Sequence, residues 1–364
     1  MPFDVRDFPD VPPEYRAAGG RSRRQIAIWL FAVAFMVLVM IVLGGVTRLT
    51  GSGLSIMEWA PLAGALPPMT HAEWERLYQL YQQTPQYDLV NRGFGLAGFK
   101  QIFWLEWIHR LWGRLIGAAF LVPLIWFWAS GKIERRSRPM MAGLFLLGGL
   151  QGAVGWFMVA SGFFPASTAV SPYRLVIHLG LALLLYAVLV WSALSVLWPV
   201  PPRTTARRLL HRLGWLDCGS VALTMLAGGF VAGTHAGFDY NTFPLMAGRV
   251  LPEGYAALDP FVRNWTENIA AVQFNHRLLA SFTVVAVTAT LAFGLSTNPP
   301  RATRIALVAL GATAALQYLL GVVTLLLVVP VAMAALHQVV ATLLLTAGIV
   351  LLHMTRGAPE ARMP

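Results

Sequence analysis

The stretch WIHRL at residues 107–111 recurs as FNHRL at residues 274–278. In both places a histidine, His109 or His276, stands a few residues inside a long apolar segment. An ionisable side chain in such a segment is costly to bury and marks a functional site by default. The recurrence also indicates two similar halves, because internal repeats are common in membrane proteins.

The composition predicts an integral membrane protein. Hydrophobic residues make up 57% of the 364-residue chain and charged residues only 12%, whereas soluble domains are about one quarter charged. A helix that crosses the hydrocarbon core needs about 20 apolar residues. We predict an all-α protein with eight transmembrane helices, at approximately residues 26–46, 107–129, 140–160, 174–197, 214–235, 273–295, 304–328 and 332–353. The first of these is too long for a signal peptide and lacks a small-residue cleavage site, so we expect it to remain in the mature protein.

The distribution of basic residues predicts the orientation, because cytoplasmic loops carry an excess of Lys and Arg. The basic residues that define this side are Arg21, Arg23, Arg24, Lys132, Arg135, Arg136, Arg138, Arg203, Arg207, Arg208, Arg212, Arg301, Arg304 and Arg356. Segments 47–106 and 236–272 contain nine of the 16 acidic residues and are expected outside. Both termini are then cytoplasmic.

The net charge and the cysteine content add little to this interpretation. The formal net charge of +11 needs no nucleic-acid partner, since most Lys and Arg lie in loops where topology and anionic membrane lipid account for them. Cys218 is the only cysteine in the sequence, so no internal disulfide can form. We interpret it as a small packing residue.

The chain is predicted to consist of two tandem four-helix bundles. The paired glycines 44–45 near the end of the first span correspond to glycines 228–229 in the fifth, and Gln151 corresponds to Gln317. Because each half has an even number of spans, we expect a pseudo-two-fold axis along the membrane normal. The predicted divisions are a cytoplasmic segment 1–25, an N-terminal half 26–198, a cytoplasmic linker 199–213, a C-terminal half 214–355 and a cytoplasmic tail 356–364.

Four histidines occupy matched positions in this repeat: His109, His178, His276 and His337. Each lies within a turn or two of the outer end of its span, so all four should lie in the outer part of the bilayer. Two imidazoles at one depth in a four-helix bundle suit the two axial positions of a haem. Each could instead be an interfacial hydrogen-bonding group, but matched depth and register favour two pairs of ligands.

The other four histidines lack such partners. His71 lies in a polar loop, His211 in a basic cytoplasmic loop and His353 at the inner end of the last span. We interpret these three as solvated or interfacial. His235, at the outer end of the fifth span, could touch the edge of a cofactor.

Glu106 distinguishes the first half from the second, which has Gln273 at the equivalent position. It precedes His109 by three residues and so shares its helical face. A carboxylate beside a porphyrin could accept protons or stabilise a cationic intermediate. It could equally cap the start of the second span, because anions suit helix N-termini. The residues alone leave both interpretations open.

Four arginines lie within about a turn of the histidines: Arg110, Arg114, Arg174 and Arg277. A guanidinium group is shaped to bind carboxylates such as haem propionates. The alternative is that these side chains reach from a helix end to the membrane surface. Arg174 lies four residues before His178, so it should share its face and point outward.

Several motifs occur in an order that resembles the haem A synthase family, in the branch of alphaproteobacteria and mitochondria. They are GGVTRLTGSGLS at 44–55, WAP at 59–61, LPP at 66–68, FKQIF at 99–103, EWIHR at 106–110, YNTFPLM at 240–246, EN at 267–268 and QFNHR at 273–277. The resemblance covers roughly residues 25–355. One departure is Thr234-His235, where the family more often carries Leu-Asp.

The resemblance implies a concrete activity. Members of this family oxidise the C8 methyl group of haem O to a formyl group by successive hydroxylations, which gives haem A for cytochrome oxidase. It implies a permanent haem b between His276 and His337, and substrate haem O between His109 and His178. It further implies that Glu106 is catalytic, in agreement with the difference between Glu106 and Gln273.

The same resemblance implies a location and partners. The protein would lie in the bacterial inner membrane with its haem sites towards the periplasmic face. Haem O would come from haem O synthase, membrane lipid would surround the bundle, and a homo-oligomer is possible. The electron-transfer partner and the source of the inserted oxygen stay undetermined.

Two other functions fit the histidine pattern less well. A di-haem quinol or ferric reductase of the cytochrome b type usually places its haems near opposite membrane faces, whereas all four histidines here are predicted at one face. A haem carrier or exporter would give no reason for a carboxylate beside only one of the two sites.

Overall fold

The computed structural model describes residues 20–60, 63–200, 204 and 206–357. Within these residues the protein is built from α-helices, joined by loops and short 3-10 turns. The α-helices are α1 Gly20–Leu49, α2 His71–Tyr81, α3 Gly95–Ala129, α4 Arg138–Val159, α5 Pro172–Leu197, α6 Arg207–Gly233, α7 Ile269–Ser296, α8 Arg301–Leu326 and α9 Val331–Thr355. All but α2 are long and apolar enough to cross a membrane. The prediction of an all-α protein with eight spans is confirmed.

Two helices extend well beyond the predicted spans. Helix α3 begins at Gly95, so its first three turns precede the predicted start at residue 107. Helix α6 begins at Arg207, inside the predicted linker 199–213, of which residues 201–203 and 205 lie outside the described residues. Hydropathy cannot find such extensions, because they are stabilised by contacts outside the hydrocarbon layer. Most of segment 1–25 and of tail 356–364 also lies outside the described residues.

The extension of α3 packs against the outer helix α2. Trp74 and Tyr81 of α2 form a buried aromatic cluster with Phe99, Ile102 and Phe103 of α3. Helix α2 starts with a capping box, in which Thr70 and Glu73 exchange side-chain and backbone hydrogen bonds, a signal that stabilises helix starts in water. The first outer loop is therefore a small folded cap on its half of the protein.

Each half is a closed ring of four helices. In the first half α1 contacts α3, α3 contacts α4, α4 contacts α5, and α5 contacts α1. The same four contacts recur among α6, α7, α8 and α9. Between the halves, α1 meets α9 and α5 meets α6, while α5 and α9 also touch. This is the contact pattern that the predicted pseudo-two-fold relation would produce.

The main apolar core lies towards the ends of the helices opposite the four histidines. It runs from Leu30 and Val33 on α1, through Leu189 on α5, to Leu307 on α8 and Leu351 on α9. These residues follow the starts of α1 and α8 and precede the ends of α5 and α9. The dense packing therefore joins both halves at the end of the bundle opposite the four histidines.

Candidate haem sites

Each of the four matched histidines packs against a glycine of a neighbouring helix. The pairs are Gly44 with His109, Gly155 with His178, Gly228 with His276 and Gly321 with His337. A Cβ atom added at Gly44 would come within 3.2 Å of His109 Nε2, and one at each of the other three within 3.0 Å of the imidazole Cε1. Such distances are too short for comfortable contact, so each imidazole occupies space that only glycine leaves free.

The histidines lie at a common level near one end of the bundle. His178 and His337 are each six residues from the starts of their helices (178 − 172 and 337 − 331), and His276 is seven from its own (276 − 269). His109 is fourteen residues from the start of α3 (109 − 95), because that helix extends into the outer cap. All four residues are partly buried.

The structure brings the histidines together in the two predicted pairs. His109 lies within electrostatic range of His178, and His337 within range of His276. Each pair consists of two imidazoles on helices of the same half, α3 with α5 and α7 with α9. Among the described residues no cluster of three or more His, Cys, Asp or Glu side chains could hold a bare metal ion. A donor set of two imidazoles fits haem iron, whose four other ligands come from the porphyrin.

Hydrogen bonds set the tautomer of two of these rings. His276 Nδ1 lies 3.1 Å from the backbone oxygen of Thr224. A carbonyl only accepts, so Nδ1 carries the hydrogen and Nε2 keeps its lone pair for a metal. The amide nitrogen of Gln317 lies 3.2 Å from His337 Nε2. An amide nitrogen only donates, so the lone pair of His337 Nε2 accepts from Gln317 in this structure, and Gln317 would have to turn away for that atom to bind iron.

Unpartnered polar atoms surround both pairs. Gln151 donates to the ring and to the backbone oxygen of His178, yet its own side-chain oxygen has no hydrogen bond within the described structure. The same is true of the side-chain oxygen of Gln317 and of His337 Nδ1. Buried polar atoms are rarely left unpaired without a functional reason. Together with the glycine-backed rings, these atoms fit a site for a haem in each half.

Glu106 is fully engaged with the outer loop. Its Oε2 accepts hydrogen bonds from the backbone and hydroxyl of Ser55, each at 2.7 Å, and from the backbone of Ile56 at 2.9 Å. Its Oε1 pairs with Arg110, and only 2% of the residue is exposed. Because α3 begins at Gly95, the alternative that Glu106 caps the start of this helix is wrong. The carboxylate instead fixes the loop to the helix beside the first histidine pair.

The arginines near Glu106 bind the same loop. Arg110 donates to the backbone oxygens of Ile56 and Glu58 as well as to Glu106. Arg114 donates to the backbone oxygen of Ala60. Whether these guanidinium groups also lie at the membrane surface, as the alternative predicts, stays a prediction. They hold the loop over the first bundle, and their predicted contact with haem propionates stays a prediction.

The second half repeats this clamp with an amide in place of the carboxylate. Gln273 donates through Nε2 to the backbone oxygens of Ala236 and Asp239, and its Oε1 accepts from Arg277. Arg277 also donates to the backbone oxygens of Tyr240 and Thr242. Here the loop presents acceptors, whereas at Ser55 and Ile56 it presents donors. The carboxylate of Glu106 thus meets a loop that offers hydrogen-bond donors, and the amide nitrogen of Gln273 meets a loop that offers acceptors.

Arg174 lies at the outer end of the junction between the halves. It donates to the backbone oxygen of Phe157, and its guanidinium stacks 3.9 Å from the centre of the Phe157 ring. It lines a cavity of about 460 Å³ together with Gly233 and His235. Arg174 lies near the same end of the bundle as the histidines, while its outward direction and its pairing with a propionate stay predictions.

His235 belongs to a contact between the halves. Its Nε2 lies 2.9 Å from the guanidinium of Arg48, which also donates to the backbone oxygen of Ala232. Burial and then the charge of Arg48 lower the pKa of His235. The neutral ring accepts a hydrogen bond from Arg48 and links the end of α1 to the end of α6. A role at a cofactor edge stays a prediction.

The interpretation of His353 as solvated or interfacial is wrong. Its side chain is 0% exposed and packs edge-on against Trp191 of α5, with Ser195 Oγ 3.4 Å from Nε2. The ring is covered because α5 and α9 meet across the junction between the halves. His71 is exposed and His211 is half-buried, as expected for solvated or interfacial groups.

The doubled glycines have a role that the sequence showed only as a repeat. Gly44 and Gly228 face the histidine of their own half, and the next residue in each case faces the other half. A Cβ atom on Gly45 would overlap the side chain of Gln338 on α9, and one on Gly229 would lie 3.1 Å from Leu179 on α5. The pair therefore lets one helix approach both its histidine and the other bundle.

The fold and this site define a membrane-spanning helical bundle with two pairs of histidines at one level. A family profile described as cytochrome oxidase assembly protein matches residues 27–349. The chain is 59% identical over 340 residues to a protein of Granulibacter bethesdensis named Heme A synthase, covering 93% of this chain and 89% of that protein. A protein of Acidiphilium cryptum named Heme A synthase 2 is 46% identical over 351 residues, covering 95% of each chain. One from Rhodospirillum centenum named Heme A synthase is 44% identical over 354 residues, with 97% and 94% covered.

The match extends over nearly the whole chain and includes all four paired histidines. The chain therefore belongs to the cytochrome oxidase assembly protein family that contains these haem A synthases.

Proposed function

We propose that this protein is a haem A synthase, an oxidoreductase that converts the C8 methyl group of haem O to the formyl group of haem A for cytochrome oxidase. The family membership and the names of its relatives support the reaction. The observation that carries the proposal is the presence of two glycine-backed histidine pairs at one level of the bundle, one in each half. An enzyme that acts on one haem with the help of another needs two such sites.

The two halves have different tasks in this proposal. His276 and His337 hold a resident haem b, which supplies a one-electron redox centre when bound. His109 and His178 hold haem O. The hydrogen bond from His276 Nδ1 to Thr224 supports the first assignment, because an oriented second ring nitrogen is typical of a permanent metal ligand. Arg110, Arg174 and Arg277 lie at the ends of the spans that carry three of the histidines and are proposed to face the propionates.

Glu106 serves this reaction as a residue beside the substrate site. Its own charge could handle protons at the porphyrin edge, which is the catalytic role predicted from the sequence. Its contacts support a second effect, because the loop that begins at Ser55 is held to α3 through this carboxylate. In either role, Glu106 acts on the first half of the protein only.

Two variants separate these roles. Glu106→Gln removes the charge, and we expect it to keep haem b but to yield haem O or the singly hydroxylated intermediate, with a loss of about a hundredfold or more. Ser55→Ala removes one hydrogen bond from the loop and leaves the carboxylate in place. A raised KM with unchanged kcat in Ser55→Ala would show that the loop positions the substrate. Normal haem A production by Glu106→Gln would contradict the catalytic role of its charge.

The protein is a multi-pass membrane protein, and we propose a location in the bacterial inner membrane with both termini cytoplasmic. The paired histidines then face the periplasmic side, since they lie at the opposite end of the bundle from the basic loop 130–139. Haem O would arrive from haem O synthase within the membrane.

The direct test of the activity uses the purified protein. It is incubated with haem O and an electron-transfer system, and the extracted haem is analysed by mass. A product with the mass of haem A supports the proposal. Unchanged haem O with rapid oxidation of a quinol would favour a di-haem electron-transfer protein instead.

A further inference from the structure

A line of polar side chains runs through the C-terminal bundle, away from the resident haem site. On α6 it comprises Asp217, Ser220 and Thr224, spaced by one turn each, and on α7 Thr283 and Thr290. Residues 283 and 290 follow His276 at intervals of seven, so they share its face of the helix. We call these five residues the polar seam.

Hydrogen bonds connect most of the polar seam to the ligand His276. The backbone oxygen of Thr224 accepts from His276 Nδ1. Thr224 Oγ1 lies 3.1 Å from Thr283 Oγ1 and donates to the backbone oxygen of Ser220. Ser220 Oγ in turn donates to the backbone oxygen of Asp217. The seam is thus a row of polar side chains along the contact between α6 and α7, whose hydrogen bonds end on backbone oxygens of α6.

Asp217 ends the seam without a charged partner among the described residues. It is 0% exposed, and the neutral hydroxyl of Thr290, also 0% exposed, faces it from α7. Neither group has another hydrogen-bond partner in the described structure. Helix packing would explain paired hydroxyls, but it gives no reason for an unpaired carboxyl group, which is costly in a membrane.

The first half has no such seam. Aligning Gly228 with Gly44 places Val33 opposite Asp217 and Met40 opposite Thr224 (217 − 184 and 224 − 184). Aligning His276 with His109 places Ile116 opposite Thr283 (283 − 167). Val33 is buried in the apolar core. The polar seam therefore belongs only to the half that is proposed to keep its haem.

We propose that Asp217 is a proton-binding site coupled to the oxidation state of the haem held by His276 and His337. The inference rests on the proposed function, which places haem b there. When the ferric iron gains one electron from a one-electron donor, the carboxylate takes one proton from water at the inner face, and it releases that proton on oxidation. The proton then offsets part of the charge that the electron adds to the buried region.

The environment of Asp217 makes the haem iron the charge that controls this proton exchange. Among the described residues, Cys218 is the titratable side chain placed beside it. Helix α9 meets that cysteine with Gly348, and α7 supplies the uncharged Thr290. His353 lies elsewhere, against Trp191 of α5. No second charge in this part of the structure therefore compensates the carboxylate, and the haem iron is the charge to which it responds.

The expected coupling follows from distance. Asp217 lies seven residues from Thr224, or about 10 Å along the helix. The iron would lie farther away, beyond the His276 ring, and unit charges about 15 Å apart in a medium with an effective dielectric constant near 20 alter each other's equilibria by a factor approaching ten. The proton affinity of Asp217 should therefore differ about tenfold between ferric and ferrous protein. For a one-electron couple that corresponds to a change of about 60 mV in midpoint potential across the titration.

The test is a redox titration of the purified haem-containing protein at a series of pH values, with dissolved mediators and optical detection of haem b. In the wild type the potential should fall by about 60 mV as pH rises, and in Asp217→Asn it should be independent of pH over that range. Ser220→Ala, a matched change on the same seam, should behave like the wild type. Redox-difference infrared spectra of the wild type should show a carboxyl C=O band that appears on reduction.

Three results would overturn the inference: a pH-independent potential in the wild type, the same pH dependence in Asp217→Asn, or no carboxyl band on reduction. The second would assign the proton to the haem propionates. The infrared result needs no variant, so a wild type without the band overturns the inference even if Asp217→Asn fails to fold. A protein without haem, or with haem that survives His276→Ala, would instead contradict the proposed function.

Discussion

Replacing Gly228 by alanine tests whether the close contact between glycine and histidine holds the resident haem. A Cβ atom at this position would lie 3.0 Å from Cε1 and 3.5 Å from Nδ1 of His276. The ring cannot simply rotate away, because its Nδ1 is hydrogen-bonded to the backbone oxygen of Thr224. The imidazole must therefore shift relative to the iron, or that hydrogen bond must lengthen.

The size of the effect can be estimated from packing. Adding a methyl group to a filled site costs about 1–3 kcal/mol, and about 1.4 kcal/mol corresponds to a factor of ten in an equilibrium constant. Gly228→Ala should therefore weaken haem b retention roughly fivefold to a hundredfold. The intrinsic preference of alanine for helix, about 1 kcal/mol, acts on the protein with and without haem and does not offset this loss.

The assay is the ratio of haem b to protein after purification, followed by the rate of haem transfer to an excess of apomyoglobin. Gly219→Ala is the matched control, because it lies on the same helix and nothing approaches its Cβ position within 4 Å. The control should retain haem like the wild type. Equal haem retention in Gly228→Ala and Gly219→Ala would refute the reasoning that a missing side chain creates the ligand site.

Two further predictions address topology and the junction between the halves. Met69 is exposed in the outer loop, so a cysteine at this position should react with a membrane-impermeant thiol reagent in intact spheroplasts. A cysteine at Arg135 should react only after lysis. The reverse pattern would place the histidines at the inner face. His235 has a lowered pKa, so the unfolded chain binds its proton more readily and thermal stability should decline as pH falls through about 6.5. His235→Gln should remove that part of the decline in melting measurements, and an unchanged pH profile would show that the contact with the neighbouring guanidinium is unimportant.

The eight spans could be predicted from the sequence because one property, hydropathy over about 20 residues, decides whether a helix crosses a membrane. The same property fails where a helix continues outside the membrane. Residues 95–106 of α3 are amphipathic and are stabilised by Trp74 and Tyr81, which lie on a different helix. No local pattern in residues 95–106 shows that contact.

The histidine pairs could be predicted for a similar reason, since an internal repeat places equivalent residues at equivalent depths. The glycines that face them were visible only as part of the repeat, because which helix face meets which imidazole depends on packing. His353 shows the limit most clearly. Its burial depends on the contact between α5 and α9, and nothing in its own sequence neighbourhood indicates it.

The difference between Glu106 and Gln273 was recognised from the sequence but could not be explained there. The explanation lies in the loops, which present hydrogen-bond donors to Glu106 and acceptors to Gln273. Those backbone groups carry no sequence signal. This is why the choice between a catalytic and a positioning role has to come from variants that alter one of them at a time.

The central claim is that the two histidine pairs bind different haems, and the haem content of single alanine variants tests it most directly. His276→Ala and His337→Ala should be purified without haem b and with reduced thermal stability, since a bound cofactor stabilises the folded form. His109→Ala and His178→Ala should retain haem b in full and form no haem A from haem O. Equal loss of haem b from all four variants would contradict the assignment of a resident site and a substrate site to separate halves.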